Sequence, residues 1–216
     1  MRHEVFIAGG TGYIGSRLVP RLLSRGHRVR ALARPGAERK LPPGCEVVPG
    51  DPLRIDSFAG SVGPADTFVQ LVGVPHPSPS KAALFRDVDL ASAKASAEAA
   101  ARAGVANFVY VSVARPAPVM KAYQQARSEA EDFIRASGLD ATFLRPWYVL
   151  GPGHRWPHLL QPFYWIAERI PATREPARRL GLVTIGQMLS ALVFAVEKPA
   201  RGVRILEVPE LRAARI

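Results

Sequence analysis

The chain has 216 residues, 48% of them hydrophobic and 22% charged, and Cys45 is its single cysteine. That length can bury a full core and predicts one domain over residues 1–216, while the absence of an apolar run of about 18 residues predicts no transmembrane helix. The net charge of +11 comes from scattered arginines rather than a basic run interleaved with aromatics, so no nucleic-acid partner is expected.

Met1–Glu4 lead directly into an apolar stretch, which predicts no signal peptide, and one cysteine forms no intrachain disulfide. Both fit a protein of the reducing cytoplasm. Glu4–Ala8 reads as a continuous hydrophobic strand, as in a parallel sheet buried on both faces. It runs into Gly9-Gly10-Thr11-Gly12-Tyr13-Ile14-Gly15. Ile14, Leu18, Val19, Leu22 and Leu23 then repeat at helical spacing, with Arg17, Arg21 and Arg25 on the other side, and Gly26 stops the helix. A strand, a tight glycine turn and an opening helix place unpaired N–H groups and the positive helix end together. That arrangement suits a dinucleotide's pyrophosphate. Gly10-x-Gly12-x-x-Gly15 and Gly9-x-x-Gly12-x-x-Gly15 both fit the fingerprint, so the register of the loop is open.

His27–Ala33 supplies the second strand, and Arg34 ends it, about twenty residues past the glycines. A carboxylate there holds the ribose 2′-hydroxyl of NAD, whereas an arginine pairs with the 2′-phosphate of NADP; Arg34 without a nearby acid predicts NADP(H) ahead of NAD(H). Pro42, Pro43 and Gly44 precede a third strand, Cys45–Val48. Gly50-Asp51-Pro52-Leu53 then opens a short helix through Phe58. Asp51 suits either an adenine amino group or a helix cap. Asp66–Gly73 reads as the fourth strand, with Leu71, Val72 and Gly73 at its end, and Val74–Ser80, with three prolines, as an irregular loop.

An alanine-rich helix is predicted over Lys81–Ala103, a strand over Asn107–Ser112, a helix over Lys121–Ser137 and a sixth strand over Thr142–Arg145, closed by Pro146. Strands alternating with helices predict an α/β fold, a doubly wound Rossmann-type parallel sheet. Residues 151–184 form a small C-terminal lobe expected to fold over the cofactor crevice as a minimal substrate lid. Its aromatic segment, including Tyr164 and Trp165, exceeds one apolar stripe and suits a pocket or an interface. Ile185–Glu197 reads as a helix and Val203–Val208 as a closing strand.

On these residues the sequence resembles the short-chain dehydrogenase/reductase superfamily. It looks most like atypical or extended NAD(P)H-binding members, such as NmrA-like proteins and the nucleotide-binding accessory subunit of respiratory complex I. The resemblance rests on Gly9–Gly15, Arg34, Gly50-Asp51, Leu71–Gly73, Val111-Ser112, the helix from Tyr123, and Arg145-Pro146 with Val149 and Gly151. It implies that Asp51 and Pro52 lie near the adenine, that Leu71–Gly73 runs beside the adenosine ribose, and that Pro146, Trp147 and Val149 lie beside the nicotinamide. It also implies a catalytic serine, Ser112, and a catalytic tyrosine, Tyr123, with a cation four residues on. The family's cation is lysine; here it is Arg127, which does not exchange protons at neutral pH. Arg127 alternatively pairs with Glu131 on a solvated face.

Three functions follow as expectations. The first is an NADP(H)-dependent oxidoreductase acting on a small apolar carbonyl compound or its alcohol, through Ser112, Tyr123 and Arg127. The second is a non-catalytic NADP(H)-binding sensor or assembly protein that contacts a partner protein through the aromatic lobe. The third, ranked lower, is an isomerase or epimerase. No metal is expected.

Overall fold

The computed structural model describes residues 2–152, 175 and 179–215. Seven strands form one parallel sheet: β1 (Glu4–Ala8), β2 (Arg28–Ala33), β3 (Glu46–Pro49), β4 (Thr67–Gln70), β5 (Asn107–Val111), β6 (Ala141–Leu144) and β9 (Val203–Leu206), in the order β3-β2-β1-β4-β5-β6-β9. The chain winds outward from β1 through β2 to β3, then crosses back to β4 and winds the other way. Strand order therefore reverses between β1 and β4, and such a switch point opens a crevice beyond the carboxyl ends of the strands.

Each face of the sheet carries its own core, and the two are built differently. Phe6 stands opposite Phe68 and Phe68 opposite Phe108 in the strand register, so three rings line one face with centroids 5.1 and 5.4 Å apart. Tyr110 and Phe143 continue that face. The helices covering it are α3 (Ala91–Arg102) and α4 (Lys121–Ala136), which present Ala93, Ala97, Ala100, Ala126 and Ala130. Large rings on the sheet leave room only for small side chains on the helices, which is the packing reason for the alanine-rich segment. On the opposite face Val5, Ile7, Val69, Val109 and Leu144 meet Leu18, Val19 and Leu22 of α1 (Gly15–Ser24). Leu192, Val193 and Val196 of α5 (Ile185–Glu197) join them there.

Several predicted elements shift. The helix expected over Lys81–Ala103 is not a uniform α-helix: a turn at Ala82–Leu84 (α2) passes through a π-helical segment, Phe85–Leu90, before α3. The wider winding brings Phe85, Asp89 and Leu90 together to the buried side. The third strand starts one residue later than expected, and the short helix through Phe58 is a pair of 3₁₀ turns, Ile55–Ser57 and Ala59–Ser61. The last strand ends at Leu206 rather than Val208, because Val208-Pro209 opens a short helix, α6 (Val208–Ala213), whose first turn tolerates the missing proline N–H.

A second, two-stranded parallel sheet pairs β7 (Tyr148–Leu150) with β8 (Leu182–Thr184), and the sequence reading had no counterpart for it. Thr184 leads directly into α5 through a capping box with Gln187. This pair fastens the two ends of the predicted lobe to each other. The aromatic segment with Tyr164 and Trp165 lies outside the described residues. Among the described residues, no helix is long and apolar enough to cross a membrane.

Candidate functional site

The glycine loop leaves β1 at the switch point, and its geometry chooses between the two registers. Gly9 adopts φ +89°, and a Cβ there would lie 2.9 Å from the Leu71 carbonyl carbon and the Val72 nitrogen. A Cβ on Gly15 would lie 2.2 Å from the Gly9 carbonyl oxygen, so helix α1 seats on the loop backbone only because residue 15 has no side chain. Gly12 donates its N–H to the Gly9 oxygen at 3.1 Å, and a Cβ there would have that oxygen alone within reach, at 3.3 Å. Gly9-x-x-Gly12-x-x-Gly15 is thus the spacing with a backbone reason at both ends, and its middle glycine leaves the turn clear for close approach of a phosphate. Gly10 is tight for a separate reason: its Cβ would meet the Ala31 methyl at 2.9 Å.

The first turn of α1 has no side-chain cap and no acidic residue, so the positive end of the helix is not already neutralised. Arg17 donates to the Tyr13 carbonyl at 2.8 Å and lies over the Tyr13 ring, 4.2 Å from its centroid. A side chain at Gly151 would run into the Tyr13 hydroxyl, 2.3 Å away. Tyr13 thereby joins the glycine loop to the end of β7.

The other predicted cofactor residues lie at the carboxyl ends of neighbouring strands. Arg34 is exposed directly after β2. Asp51 follows β3, and its carboxylate accepts the Leu53 N–H at 3.0 Å, closing a turn rather than capping a helix; Pro52 sits within that turn. Leu71, Val72 and Gly73 continue β4 against Gly9. Pro146, whose carbonyl accepts the Ala114 N–H at 3.0 Å, leads with Trp147 into β7 and Val149. The residues fit an extended dinucleotide: a glycine cradle with no room for Cβ atoms of its own, followed by a row of strand ends. A separate surface depression of about 770 Å³ lies at the opposite, amino-terminal edge of β1 and β2. Its charges are largely mutually paired, Arg28 with Glu4 and Arg30 with Glu46.

Of the three predicted catalytic residues, Tyr123 and Arg127 come together, whereas Ser112 is engaged by Glu131. Tyr123 and Arg127, one turn apart on α4, face the floor of the crevice at β4. The Arg127 guanidinium carbon lies 5.2 Å from the Tyr123 ring centroid and 5.6 Å from that of Tyr110. Arg127 is buried and does not pair with Glu131, correcting that alternative. Its Nη2 donates to Asp89 Oδ1 at 2.5 Å and its Nη1 to the Val111 carbonyl at 2.7 Å. The guanidinium sits beneath Gly73, where a Cβ would come within 2.3 Å of Nη2.

Burial pushes the Tyr123 phenol up from its ordinary pKa, and Arg127 pulls it the other way. Tyr110 is pushed up to about 12 by burial. Burial works against the charge on Arg127, yet the two phenols and Asp89 around it hold its pKa above the usual arginine range.

Ser112, just past β5, donates its hydroxyl to Glu131 Oε1 at 2.6 Å. Glu131 is fully buried and also accepts from Arg145 Nε at 2.9 Å and Arg115 Nη2 at 2.7 Å. Burial opposes the charge on Glu131, but hydrogen bonds from Arg145 and Ser112 hold its carboxyl below the ordinary range. Asp89 and Arg115 are residues that sequence reasoning did not bring to this site; Glu131 was expected on a solvated face, and Arg145 entered only with Pro146 as a strand end. The only signal for the two acids was position: Asp89 and Glu131 stand within the apolar stripes of their helices.

A reversed strand order, a glycine loop closed onto a helix N-terminus and a row of strand ends define a dinucleotide-binding protein. The family described as NAD(P)H-binding matches residues 9–154, and the chain belongs to it. Its fold is that of the atypical and extended short-chain dehydrogenases/reductases. Among curated proteins it is similar to a ceramide reductase of Caulobacter vibrioides, 33% identical over 159 residues, covering 70% of this chain and 48% of that one. It is also similar to a 3 beta-hydroxysteroid dehydrogenase/Delta 5-->4-isomerase of Mycobacterium tuberculosis, 32% identical over 115 residues, covering 50% of this chain and 31% of that one. The chain therefore spans about half the length of the first relative and less of the second.

Among solved structures, the Bordetella bronchiseptica enzyme WbmH in complex with NAD+ superposes with a TM-score of 0.71 at 21% identity, covering 95% of this chain and 75% of that one. MoeE5 in complex with UDP-glucose and NAD superposes with a TM-score of 0.70 at 22% identity, covering 96% and 79%. These likenesses are likenesses of fold.

Proposed function

We propose that the chain is an NADP(H)-dependent oxidoreductase acting on a small, apolar carbonyl compound or the corresponding alcohol. The observation that carries this reading is the placement of Tyr123 and Arg127 on one face of α4, with the guanidinium over the phenol ring and directly beneath Gly73. Gly9, Gly10, Thr11, Gly12, Tyr13, Ile14 and Gly15 would hold the pyrophosphate. Asp51, Pro52, Leu71, Val72 and Gly73 would hold the adenosine half, and Pro146, Trp147 and Val149 the nicotinamide half. NADP over NAD is favoured by the exposed Arg34 at the end of β2, with no acid following it in sequence until Glu38. An apolar substrate is supported by the names of the curated relatives, which act on ceramide and on a steroid.

Held by these residues, a nicotinamide would supply or accept the hydride. Tyr123 gives its hydroxyl proton to the carbonyl oxygen in the reductive direction and takes it back in the oxidative one. Arg127 keeps its proton throughout and acts by charge alone, so Tyr123 is reprotonated from the crevice. Ser112 takes part by turning its hydroxyl from Glu131 to the substrate oxygen.

A second reading, NADP(H) binding without turnover, is favoured by the prior commitment of Ser112 to Glu131 and of Arg127 to Asp89. One experiment separates the two: NADPH fluorescence on binding, followed by a screen of apolar aldehydes and ketones with the native protein and with Tyr123→Phe. The enzyme reading expects NADPH oxidation with at least one carbonyl and its loss, about 10²-fold or more, in Tyr123→Phe. Binding with no NADPH oxidation by any carbonyl in the screen overturns it in favour of the second.

A further inference from the structure

Asp89 takes no part in the scheme above, yet it lies at the centre of the charged cluster beneath the crevice. It is fully buried and is carried on the π-helical segment rather than on regular α-helix. Both of its carboxylate oxygens are engaged: Oδ1 accepts from Arg127 Nη2 at 2.5 Å and Oδ2 accepts the Val74 N–H at 3.0 Å. Arg127 is held on its other side by the Val111 carbonyl at 2.7 Å, so its guanidinium is fixed at both ends. Its Nε is buried with no partner among the described residues, which leaves the Asp89 pair as its charge compensation.

Among the described residues, the groups facing Tyr123 are few. Arg127 lies on its own helix, Asp89 and Phe85 come from the π-helical segment, and Tyr110 comes from β5. Of these, Arg127 and Asp89 form an ion pair. A buried guanidinium with no counter-charge would favour the Tyr123 phenolate strongly, because little water screens it. A carboxylate in contact with that guanidinium cancels much of its field at the distance of the phenol.

We propose that Asp89 is a positioning residue that sets, through Arg127, how much positive charge Tyr123 experiences, and hence the pH at which Tyr123 gives up its proton. The direction agrees with the electrostatics of the site: burial raises the phenol, Arg127 lowers it and Asp89 raises it again. The proposal rests on the reading of Tyr123 as the proton donor, and it gives a reason for arginine at position 127. A permanent cation is tuned by its own buried carboxylate.

The test is an ultraviolet titration of phenolate absorbance on the full chain, with Tyr123 isolated as the difference between each protein and its Tyr123→Phe partner. Asp89→Asn removes the negative charge at constant shape and is expected to move the Tyr123 titration to lower pH by about one unit. Asp89→Glu restores the charge and is expected to bring it back towards the native position. A folded Asp89→Asn protein in which Tyr123 titrates at or above the native pH overturns the proposal. If Asp89→Asn does not fold, Arg127→Gln decides: Tyr123 must then titrate at higher pH than in the native protein, and no rise overturns the proposal. The readout needs no turnover. A shifted titration in a protein that oxidises no NADPH would overturn the oxidoreductase reading while leaving the role of Asp89 standing. With a substrate in hand, the same acidward shift should appear in the pH profile of kcat, which loss of packing alone would not move.

Discussion

Ser112 Oγ and Glu131 Oε1 lie 2.6 Å apart, with the serine hydroxyl donating to a carboxylate that has no exposed surface. The same carboxylate gathers Arg145 and Arg115, and Arg145 reaches on to Glu207 at 2.8 Å, at the start of α6. One buried acid thus ties the exits of β5 and β6 to α4 and to the segment after β9. Replacing it with an amide leaves three arginines, Arg115, Arg135 and Arg145, turned towards a neutral group, so Glu131→Gln should cost about 3 kcal/mol of stability, read as a lower urea midpoint.

Acid should weaken the fold through the same kind of group. Glu131 is held below the ordinary carboxylate range against the opposing effect of burial. Glu197 is lowered to about 2, first by the Arg25 hydrogen bond and also by His27. A carboxyl whose folded pKa is depressed contributes stability that is complete above its unfolded pKa, about 4.3 for glutamate, and is lost as pH falls through the folded value. The urea midpoint should therefore be level near neutrality and fall progressively from about pH 5 downward. Glu197→Gln should flatten that fall, and an equally steep decline in the variant would show that the Arg25–Glu197 pair contributes nothing to it.

Cofactor choice is expected to depend on Arg34. It is exposed at the end of β2, and a guanidinium pairs with a phosphate but gains little from a ribose hydroxyl. Arg34→Ala should reduce NADPH affinity by about tenfold or more while changing NADH affinity little, measured by fluorescence titration of both. An unchanged ratio of the two affinities would remove Arg34 from the phosphate site.

Gly15→Ala places a methyl 2.2 Å from the Gly9 carbonyl oxygen and 2.6 Å from the Gly10 Cα, both backbone atoms that cannot turn aside. The helix must back away from the loop, which should cost about 2 kcal/mol or more and abolish dinucleotide binding. Gly60→Ala, where an added Cβ has no neighbour within 4 Å, is the matched control, expected to stay within about 0.5 kcal/mol of the native protein. Thermal unfolding and NADPH titration of the two variants side by side check both statements.

The glycine turn and the helix over Ile185–Glu197 were legible because each is written in a local pattern: a fingerprint of closely spaced glycines, and an apolar run of helical length. The order of the strands was not. Parallel neighbours such as β1 and β4, whose registers join Val5 to Thr67 and Ala8 to Gln70, are chosen by packing between distant segments. The π-helical turn was equally hidden, and its buried Asp89 finds its partner, Arg127, 38 residues along the chain.

The sequence by itself determined the class of fold, the glycine loop between β1 and α1 and the residue types along the crevice, because periodicity and glycine spacing act over a few residues. Tertiary structure decided the state of those residues. It turned Arg127 from a solvated partner of Glu131 into a buried partner of Asp89, and it gave Glu131 to Ser112, Arg115 and Arg145 instead. Both acids stand within apolar stripes of their helices, where an unpaired charge is too costly to bury. Which arginine neutralises which acid depends on the meeting of β5, β6, α4 and the π-helical segment in space, and no local pattern encodes that meeting.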